Sequence, residues 1–171
     1  MGRLDLILLR HGQAEEPLLG LDDHARKLTV TGRDEAFLTA QGLSVRSLIP
    51  ALIVCSDAQR TRETSEQVIR ALGENAPPIT FEPGLYHASR QGVTELLQHQ
   101  LGDVRRVLVI GHNPTLSRLV SHLSGEPVQL DTAEAAHLTF DLEGSLGLSK
   151  HLWRDALAST GVWSLRTLWR R

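Results

Sequence analysis

The sequence contains little cysteine and few aromatic residues, and charge of neither sign dominates it. Cys55 is the one cysteine among 171 residues, so no disulfide can form within the chain. Its position in an apolar run predicts a buried structural thiol rather than a reactive one. Lysine and arginine total 18 against 20 aspartate and glutamate residues. This near balance gives no indication of nucleic acid or an anionic membrane as a partner, although it allows a local positive pocket.

Long apolar runs are also absent. No stretch approaches the roughly 20 residues that a membrane-spanning helix needs. The N-terminal segment reaches Asp5 and Arg10 with only a short apolar run between them, which is not the pattern of a signal peptide. We therefore expect a soluble, cytoplasmic protein with no membrane partner. With 41% hydrophobic residues and the length of one ordinary domain, the chain is predicted to form a single domain over residues 1–171.

Apolar runs alternate with amphipathic segments along most of the chain. Strands are predicted at residues 4–9, 51–55, 79–81 and 107–110. Helices are predicted at residues 31–48, 59–72, 93–101 and 114–123. Strands separated by helices are typical of βαβ units. We therefore predict an α/β fold with a mostly parallel central sheet and helices on both faces.

The last third of the chain has a different pattern. Residues 136–141 are predicted to form a strand, residues 150–158 a helix, and residues 163–169 a strand because apolar residues alternate there with period two. This order predicts an antiparallel strand at the edge of the sheet.

Three of the predicted strands lead into residues that can hold an anion. The first strand runs into Arg10 and His11, the strand at 107–110 leads to His112, and the strand at 51–55 is followed by Arg60 at a helix start. Ligands of an open α/β sheet bind just beyond the carboxyl ends of its strands. We therefore expect two imidazoles and two guanidinium groups to meet at one rim of the sheet.

A phosphate dianion is the ligand that this set fits best. Arginine is always charged and binds phosphate bidentately, and the helix that begins near Pro114 adds free N–H groups and partial positive charge. Two histidines about a hundred residues apart, each beside an arginine or an amide, make a poor metal site. We therefore expect neither a metal nor an organic cofactor. A neutral imidazole is also a competent nucleophile for covalent catalysis.

The tripeptide Arg-His-Gly at residues 10–12 resembles the signature of the histidine phosphatase superfamily, the phosphoglycerate mutase-like proteins. Three further segments follow in the family's order. Residues 26–32 are similar to the Arg-Pro-Leu-Thr…Gly segment of the SixA-like branch, residues 56–64 to a Ser-Pro-x-x-Arg-x-x-x-Thr segment, and residues 111–114 to the second-histidine motif. The resemblance covers residue 4 to about residue 123, some two-thirds of the chain, and it implies a phosphoglycerate mutase-like fold.

The resemblance also implies catalytic roles. His11 is expected to be the nucleophile that becomes transiently phosphorylated, and Arg10 and Arg60 are expected to clamp the phosphoryl oxygens. His112, protonated when substrate is bound, is expected to stabilise charge on the transferring group. Arg60 is preferred to Arg62 because only Arg60 lies one helical turn before the threonine that the motif requires.

Four further residues are expected to bind substrate. The glycine of the signature, Gly12, is expected to allow a tight turn beside the phosphate, and Arg26 to bind near the mouth of the pocket. Asn113 belongs to the second-histidine motif. His87 falls about where mutases and many phosphomonoesterases of the superfamily carry an acidic glutamate, and Glu82 lies five residues earlier.

The lack of an obvious acid bears on the substrate. An alkoxide leaving group needs a proton, whereas the imidazole of phosphohistidine leaves readily once its ring is protonated. The sequence therefore favours a SixA-like phosphatase acting on phosphohistidine in a partner protein, with no nucleic-acid partner. Two alternatives stay open: a small-molecule phosphomonoesterase of the same superfamily, and a non-catalytic phosphate-binding regulatory protein.

The other histidines and the tryptophans have no such context. Five histidines are expected to be solvated or structural: His24, His99, His122, His137 and His151. Three tryptophans are expected to pack in the core or at the sheet edge: Trp153, Trp163 and Trp169.

Overall fold

In the computed structural model, which describes residues 2–142 and 152–170, strands and helices alternate along most of the chain. The strands are β1 (Arg3–Arg10), β2 (Leu52–Ser56), β3 (Ile79–Glu82), β4 (Arg106–Gly111), β5 (Ala135–Asp141) and β6 (Ser164–Trp169). The helices are α1 (Val30–Val45), α2 (Gln59–Leu72), α3 (Arg90–Gln100), α4 (Thr115–Ser124) and α5 (Leu152–Ala158). Short 3₁₀ turns lie at Asp23–Ala25, Gly73–Asn75 and Pro83–Leu85.

The six strands form one sheet in the order β3-β2-β4-β1-β5-β6. The four strands from β3 to β1 are parallel to their neighbours. The two strands β5 and β6 complete one edge in antiparallel pairing. The predicted mixed sheet is thus confirmed, and the carboxyl ends of β2, β4 and β1 lie side by side.

Helices cover both faces of the sheet, as predicted. Alternate residues of β1 point to opposite faces: Leu6 and Leu8 pack in the core under α3, α4 and α5, whereas Ile7 and Leu9 pack in the core under α1 and α2. All four side chains are almost fully buried. Strands that are apolar on both faces need helices on both sides, which explains their continuous hydrophobic runs.

The structure corrects two of the predicted helix bounds. The helix predicted at residues 31–48 ends earlier, at Val45, because Ser47 adopts a left-handed conformation with φ of 55°. Leu48 is nevertheless buried in the same core as α1, which explains why its apolar character looked like a continuation of the helix. The helix predicted at residues 93–101 begins earlier, at Arg90, because the Ser89 side chain accepts a hydrogen bond from the Gly92 N–H and caps it.

The C-terminal elements confirm the predicted packing of the tryptophans. Trp153 and Trp163 are buried and stack with ring centroids 6.0 Å apart. Trp169 is also buried, and its indole N–H donates to the Thr39 carbonyl at 2.9 Å. The predicted helix at 150–158 begins at Leu152 in the described part of the chain, and residues 150–151 lie outside it.

The structure bears on the predictions for the Cys55 thiol and for membrane-spanning helices. The Cys55 side chain is fully buried, and burial raises the pKa of its thiol to about 12, which confirms the prediction of a structural thiol. None of the helices within residues 2–142 and 152–170 is both long and apolar enough to cross a membrane. That residues 1–171 form a single domain stays a prediction.

Candidate active site

Three neighbouring strand ends place the predicted catalytic residues. His11 directly follows β1 and His112 directly follows β4, and their ring centroids are 5.3 Å apart. Arg60 stands in the first turn of α2, just after β2, and its Nε–H donates to Nε2 of His11 at 3.3 Å. Arg10 is the last residue of β1, and its charge lowers the pKa of His11. The structure thus brings the two imidazoles and two guanidinium groups together at one rim of the sheet.

The hydrogen bonds of His11 fix which ring nitrogen carries the proton. Nδ1 lies 2.7 Å from the carbonyl oxygen of Gly12, which can only accept, so Nδ1 must donate. Nε2 receives the Arg60 Nε–H, which can only donate, so Nε2 holds a lone pair. The nitrogen that faces the arginine is therefore the nucleophilic one.

Burial keeps both active-site histidines neutral. Loss of solvent around the ring is the main cause that lowers the pKa of His11 to about 4, with the charges of Arg60 and Arg10 acting in the same direction against the Gly12 hydrogen bond. Burial also lowers the pKa of His112 to about 3, helped by His11 and Arg60. The sequence-based expectation that His112 is protonated applies to the substrate-bound protein, where a phosphate dianion raises the pKa of a neighbouring imidazole.

We predict that His11 stays neutral, with its proton on Nδ1, from neutral pH down to about pH 4. Below that pH the ring takes up a second proton on Nε2 and loses its lone pair. Long-range ¹H–¹⁵N correlation spectra of the imidazole nitrogens measure both the tautomer and the midpoint. The His11→Ala variant identifies the signal among the eight histidines. A midpoint near the ordinary value of 6.5, or a proton on Nε2 at pH 7, contradicts the prediction.

Two atoms of the pocket are ready to receive a ligand. Arg10 Nε and His112 Nδ1 are buried and have no hydrogen-bond partner among the described residues. Another nitrogen of each side chain does have a partner. Arg10 Nη1 donates to the Leu130 carbonyl at 3.0 Å, and His112 Nε2 lies 2.8 Å from Ser56 Oγ. Buried polar groups are nearly always paired. These two atoms are therefore candidates to bind the oxygens of an anion.

Close packing, rather than a left-handed turn, explains the glycine at position 12, and its expected place beside the phosphate stays a prediction. It does not adopt a positive φ, so no tight left-handed turn requires a glycine. A Cβ at position 12 would lie only 2.3 Å from the carbonyl oxygen of Gly32, in α1. The Gly12 N–H donates to Thr64 Oγ1 at 3.1 Å, and Thr64 in turn donates to the Arg60 carbonyl at 2.7 Å. Glycine here permits close backbone packing against α1, and the Gly12 N–H connects the end of β1 to α2, the helix that carries Arg60.

We predict that Gly12→Ala lowers the free energy of unfolding by about 1–3 kcal/mol, because backbone atoms must shift to admit the methyl group. Urea denaturation monitored by circular dichroism measures the change. Gly92→Ala is the matched control: a Cβ there meets no atom closer than 3.6 Å, and alanine is favoured over glycine in a helix. Equal unfolding midpoints for Gly12→Ala and wild type would show that the close contact does not constrain position 12.

Three residues near the pocket were missed by the sequence reasoning. Asp23 accepts from Arg60 twice, with its carbonyl from Nη1 at 2.7 Å and with Oδ2 from Nη2 at 3.2 Å, and Tyr86 O–H donates to the same Oδ2. The bond from Tyr86 is the main cause that lowers the pKa of Asp23 to about 2. His24, expected to be solvated or structural, packs edge-on against Tyr86 at 4.8 Å. These residues come from irregular segments, where no periodicity could have indicated them.

The residues predicted to bind substrate lie around this arrangement. Arg26 Nε donates to Asp23 Oδ1 at 2.8 Å, and the Asn113 amide donates to the Leu130 carbonyl at 2.8 Å. His87 is exposed and its ring centroid lies 4.1 Å from that of Tyr86. Arg26 and Asn113 thus hold the walls of the pocket together, and substrate binding by any of the three stays a prediction. Glu82 ends β3 in register with Ser56.

The described residues contain no group of three or more histidine, cysteine, aspartate or glutamate side chains arranged to hold a metal ion. The chemistry that they do offer is a neutral imidazole nucleophile beside two arginines.

Comparisons with known proteins identify similar sequences. A model of the histidine phosphatase superfamily (branch 1) matches residues 6–89. The chain is similar to an uncharacterized chloroplastic protein of Arabidopsis thaliana, 36% identical over 95% of this chain and 76% of that protein. It is also similar to the phosphohistidine phosphatase SixA of Escherichia coli strain K12, 30% identical over 83% of this chain and 89% of that protein.

The fold is likewise similar to a solved structure. The structure of a protein histidine phosphatase SixA complexed with tungstate superposes with a TM-score of 0.76 at 24% identity, over 98% of this chain and 97% of that one. The predicted fold class is therefore confirmed.

Proposed function

This chain belongs to the histidine phosphatase superfamily and is a SixA-like phosphatase, and from that premise we propose that it hydrolyses phosphohistidine in a partner protein through a phosphorylated His11. The observation that supports this most strongly is the state of His11. Its Nε2 holds a lone pair beside the Arg60 guanidinium group, in a ring that burial keeps neutral and on which the charge of Arg10 also acts. This is the state that a nitrogen nucleophile needs for attack on phosphorus.

In the first step, His11 Nε2 forms a bond to phosphorus while the bond from phosphorus to the substrate nitrogen breaks. When the other ring nitrogen of the substrate carries a proton, the electron pair of the broken bond stays on the leaving nitrogen and the substrate leaves as a neutral imidazole. Arg10 and Arg60 bind the phosphoryl oxygens, with Arg60 exchanging its contact to His11 for one to the phosphoryl group. His112 Nδ1, which has no hydrogen-bond partner among the described residues, can donate to the phosphoryl oxygens as negative charge develops on them.

In the second step, water attacks phosphorus and the bond to His11 Nε2 breaks. Because Nδ1 keeps its proton in the hydrogen bond to the Gly12 carbonyl, His11 leaves as a neutral imidazole rather than as an imidazolate anion. Both water protons remain on the released phosphate. The same hydrogen bond thus supports nucleophilic attack in the first step and departure of the ring in the second.

The surroundings of the pocket favour a nitrogen leaving group over an alkoxide. An alkoxide needs a protonated acid, but Asp23 is ionised at pH 7. The His112 ring, which bound phosphate is expected to protonate, is assigned to the phosphoryl oxygens and not to the leaving group. None of the hydrogen bonds and ion pairs described for residues 2–142 joins Glu82 or His87 to His11, Arg10, Arg60 or His112. The name of the similar Escherichia coli protein, phosphohistidine phosphatase, points the same way.

Phosphate release from matched substrates tests the proposal. A small protein domain carrying one phosphohistidine and the same domain carrying phosphoserine are incubated with the purified protein. Without a general acid, we expect kcat/KM for phosphoserine to be lower by about 10²–10⁴-fold. Turnover of phosphoserine or of small alkyl phosphates at a rate equal to or above that of phosphohistidine would contradict the assignment and favour a phosphomonoesterase.

A further inference from the structure

One edge of the Arg60 guanidinium group faces two acceptors at once. Nε donates to His11 Nε2 at 3.3 Å and Nη2, on the same edge, donates to Asp23 Oδ2 at 3.2 Å. This is an edge through which arginine binds two oxygens of one phosphoryl group. Half of the Asp23 side chain is exposed, whereas Arg60 is almost fully buried. Asp23 therefore lies beside the position of a bound phosphoryl group, on its solvent side.

The Asp23 carboxylate is held there by contacts other than the one with Arg60 Nη2. Tyr86 O–H donates to Oδ2, Arg26 Nε donates to Oδ1 at 2.8 Å, and Arg60 Nη1 donates to the Asp23 carbonyl at 2.7 Å. A phosphoryl oxygen that accepts from Arg60 Nη2 replaces only the contact between Nη2 and Asp23 Oδ2. The other three contacts of Asp23 remain. The carboxylate can thus stay at the mouth of the pocket, as an ionised group, while substrate is bound.

The direction of phosphoryl transfer places the leaving group next to this carboxylate. The attacking and leaving atoms stand roughly in line on opposite sides of phosphorus. His11 attacks from the buried side, because its ring is held between the Gly12 carbonyl and Arg60. The leaving group then departs toward solvent, past Asp23 and Tyr86.

We propose that Asp23 determines the specificity of this site by favouring leaving groups that present an N–H and can carry positive charge. This inference rests on the proposed function and names the residue that distinguishes phosphohistidine from phosphate monoesters. In a phosphohistidine whose second ring nitrogen is protonated, that N–H can donate to the Asp23 carboxylate. When the bond between phosphorus and nitrogen breaks, the electron pair returns to the ring and the proton stays on the second nitrogen. A neutral imidazole departs instead of an imidazolate.

A phosphate monoester gains nothing from the same carboxylate. Its leaving oxygen has no hydrogen to donate, and an ionised Asp23 has no proton to give it. The negative charge of Asp23 repels the phosphoryl oxygens of both substrates, but only phosphohistidine carries a protonated ring that offsets this repulsion. The same group is therefore favourable for one class of substrate and unfavourable for the other.

The Asp23→Asn variant tests this with two substrates, a protein domain carrying phosphohistidine and p-nitrophenyl phosphate. We expect kcat/KM for phosphohistidine to fall about tenfold, the effect of losing a hydrogen bond between charged partners, and kcat/KM for p-nitrophenyl phosphate to stay equal or rise. Asp23→Ser also removes the charge and repeats the test with a second side chain at the same position. Glu16→Gln, at an exposed glutamate upstream of Asp23, is the matched control for the loss of one negative charge and should leave both values unchanged.

The pattern of the two values distinguishes the explanations. If Asp23 only positions Arg60, both values fall together, and if it only competes with the phosphoryl group for Arg60, both rise together. Either result overturns the assignment of specificity while leaving the proposed function intact. If wild type releases phosphate from p-nitrophenyl phosphate but not from phosphohistidine, the proposed substrate is wrong and the inference about Asp23 fails with it.

Discussion

Replacing His11 with alanine is expected to lower kcat by about 10⁴-fold or more, because the nucleophile is lost and the reaction can no longer be divided into two steps. The neighbouring groups cannot substitute for it. His112 lies with its ring centroid 5.3 Å from that of His11. Its Nε2 is engaged with Ser56 Oγ, and its free Nδ1 is assigned to the phosphoryl oxygens rather than to attack on phosphorus. Steady-state phosphate release from p-nitrophenyl phosphate and from a phosphohistidine domain measures the effect.

Two further measurements make the result specific to His11. Circular dichroism and the urea midpoint establish that His11→Ala remains folded. His99→Ala, which removes an exposed histidine in the last turn of α3, should retain the wild-type rate. If His11→Ala keeps more than about a tenth of the wild-type kcat, a covalent route through this residue is excluded, since loss of a nucleophile costs far more than that.

Arg60→Ala is expected to have the second largest effect, lowering kcat/KM by about 10²–10³-fold, as the removal of one preorganised donor does elsewhere. The substitution removes the donor to His11 Nε2 and both contacts to Asp23. Arg60→Lys should rescue little, because an ammonium group lacks the flat edge with two N–H groups. Kinetics with p-nitrophenyl phosphate, together with inhibition by inorganic phosphate, measure both the rate and the loss of anion binding.

Arg62→Ala is the matched control for Arg60, since it removes the same charge two residues further along α2. Arg62 donates to the Asp57 carbonyl at 2.8 Å and lies over the Phe81 ring at 4.1 Å. Its contacts are therefore outside the group formed by His11, Arg60 and His112. Its variant should keep kcat/KM within a few-fold of wild type. If Arg62→Ala were the more damaged of the two, the choice of Arg60 from the helical spacing would be wrong.

Much of the site was accessible to sequence reasoning because its main groups directly follow apolar strands. His11 and His112 come immediately after β1 and β4, and the parallel pairing of these strands brings Arg10 into register with Gly111. A buried strand is recognised from its hydrophobic run, and the carboxyl end of a parallel strand is a known place for ligands. The hydrophobic pattern of the strands and the topology of a parallel sheet were together sufficient to predict where these residues lie.

The outer part of the site was not accessible in the same way. Asp23 sits in a 3₁₀ turn that Asp22 caps by accepting the His24 N–H at 3.0 Å, and Tyr86 directly follows another such turn. Whether these side chains meet depends on how two irregular segments fold over the rim, which hydrophobic periodicity does not encode. The same holds for the need for glycine at position 12, which arises from close contact with Gly32, twenty residues away in sequence.

The segment that resembles the Arg-Pro-Leu-Thr…Gly motif serves to hold the mouth of the pocket in place. The Leu28 N–H donates to the buried Glu63 carboxylate at 2.8 Å, which links this segment to α2 three residues after Arg60. Thr29 caps α1, and Gly32 leaves room for the backbone of Gln13. A motif recognised by resemblance is thereby explained by packing around the catalytic strand end.

Identification of the phosphorylated residue during turnover is the most direct test of the catalytic role of His11. Protein mixed with substrate is quenched in base within milliseconds, digested, and sequenced by mass spectrometry, since phosphohistidine survives base and is lost in acid. We expect one added phosphoryl group on His11, released by acid and missing from the His11→Ala variant. A phosphoryl group on another residue, or substrate turnover with no phosphorylated protein at any time after mixing, would contradict it.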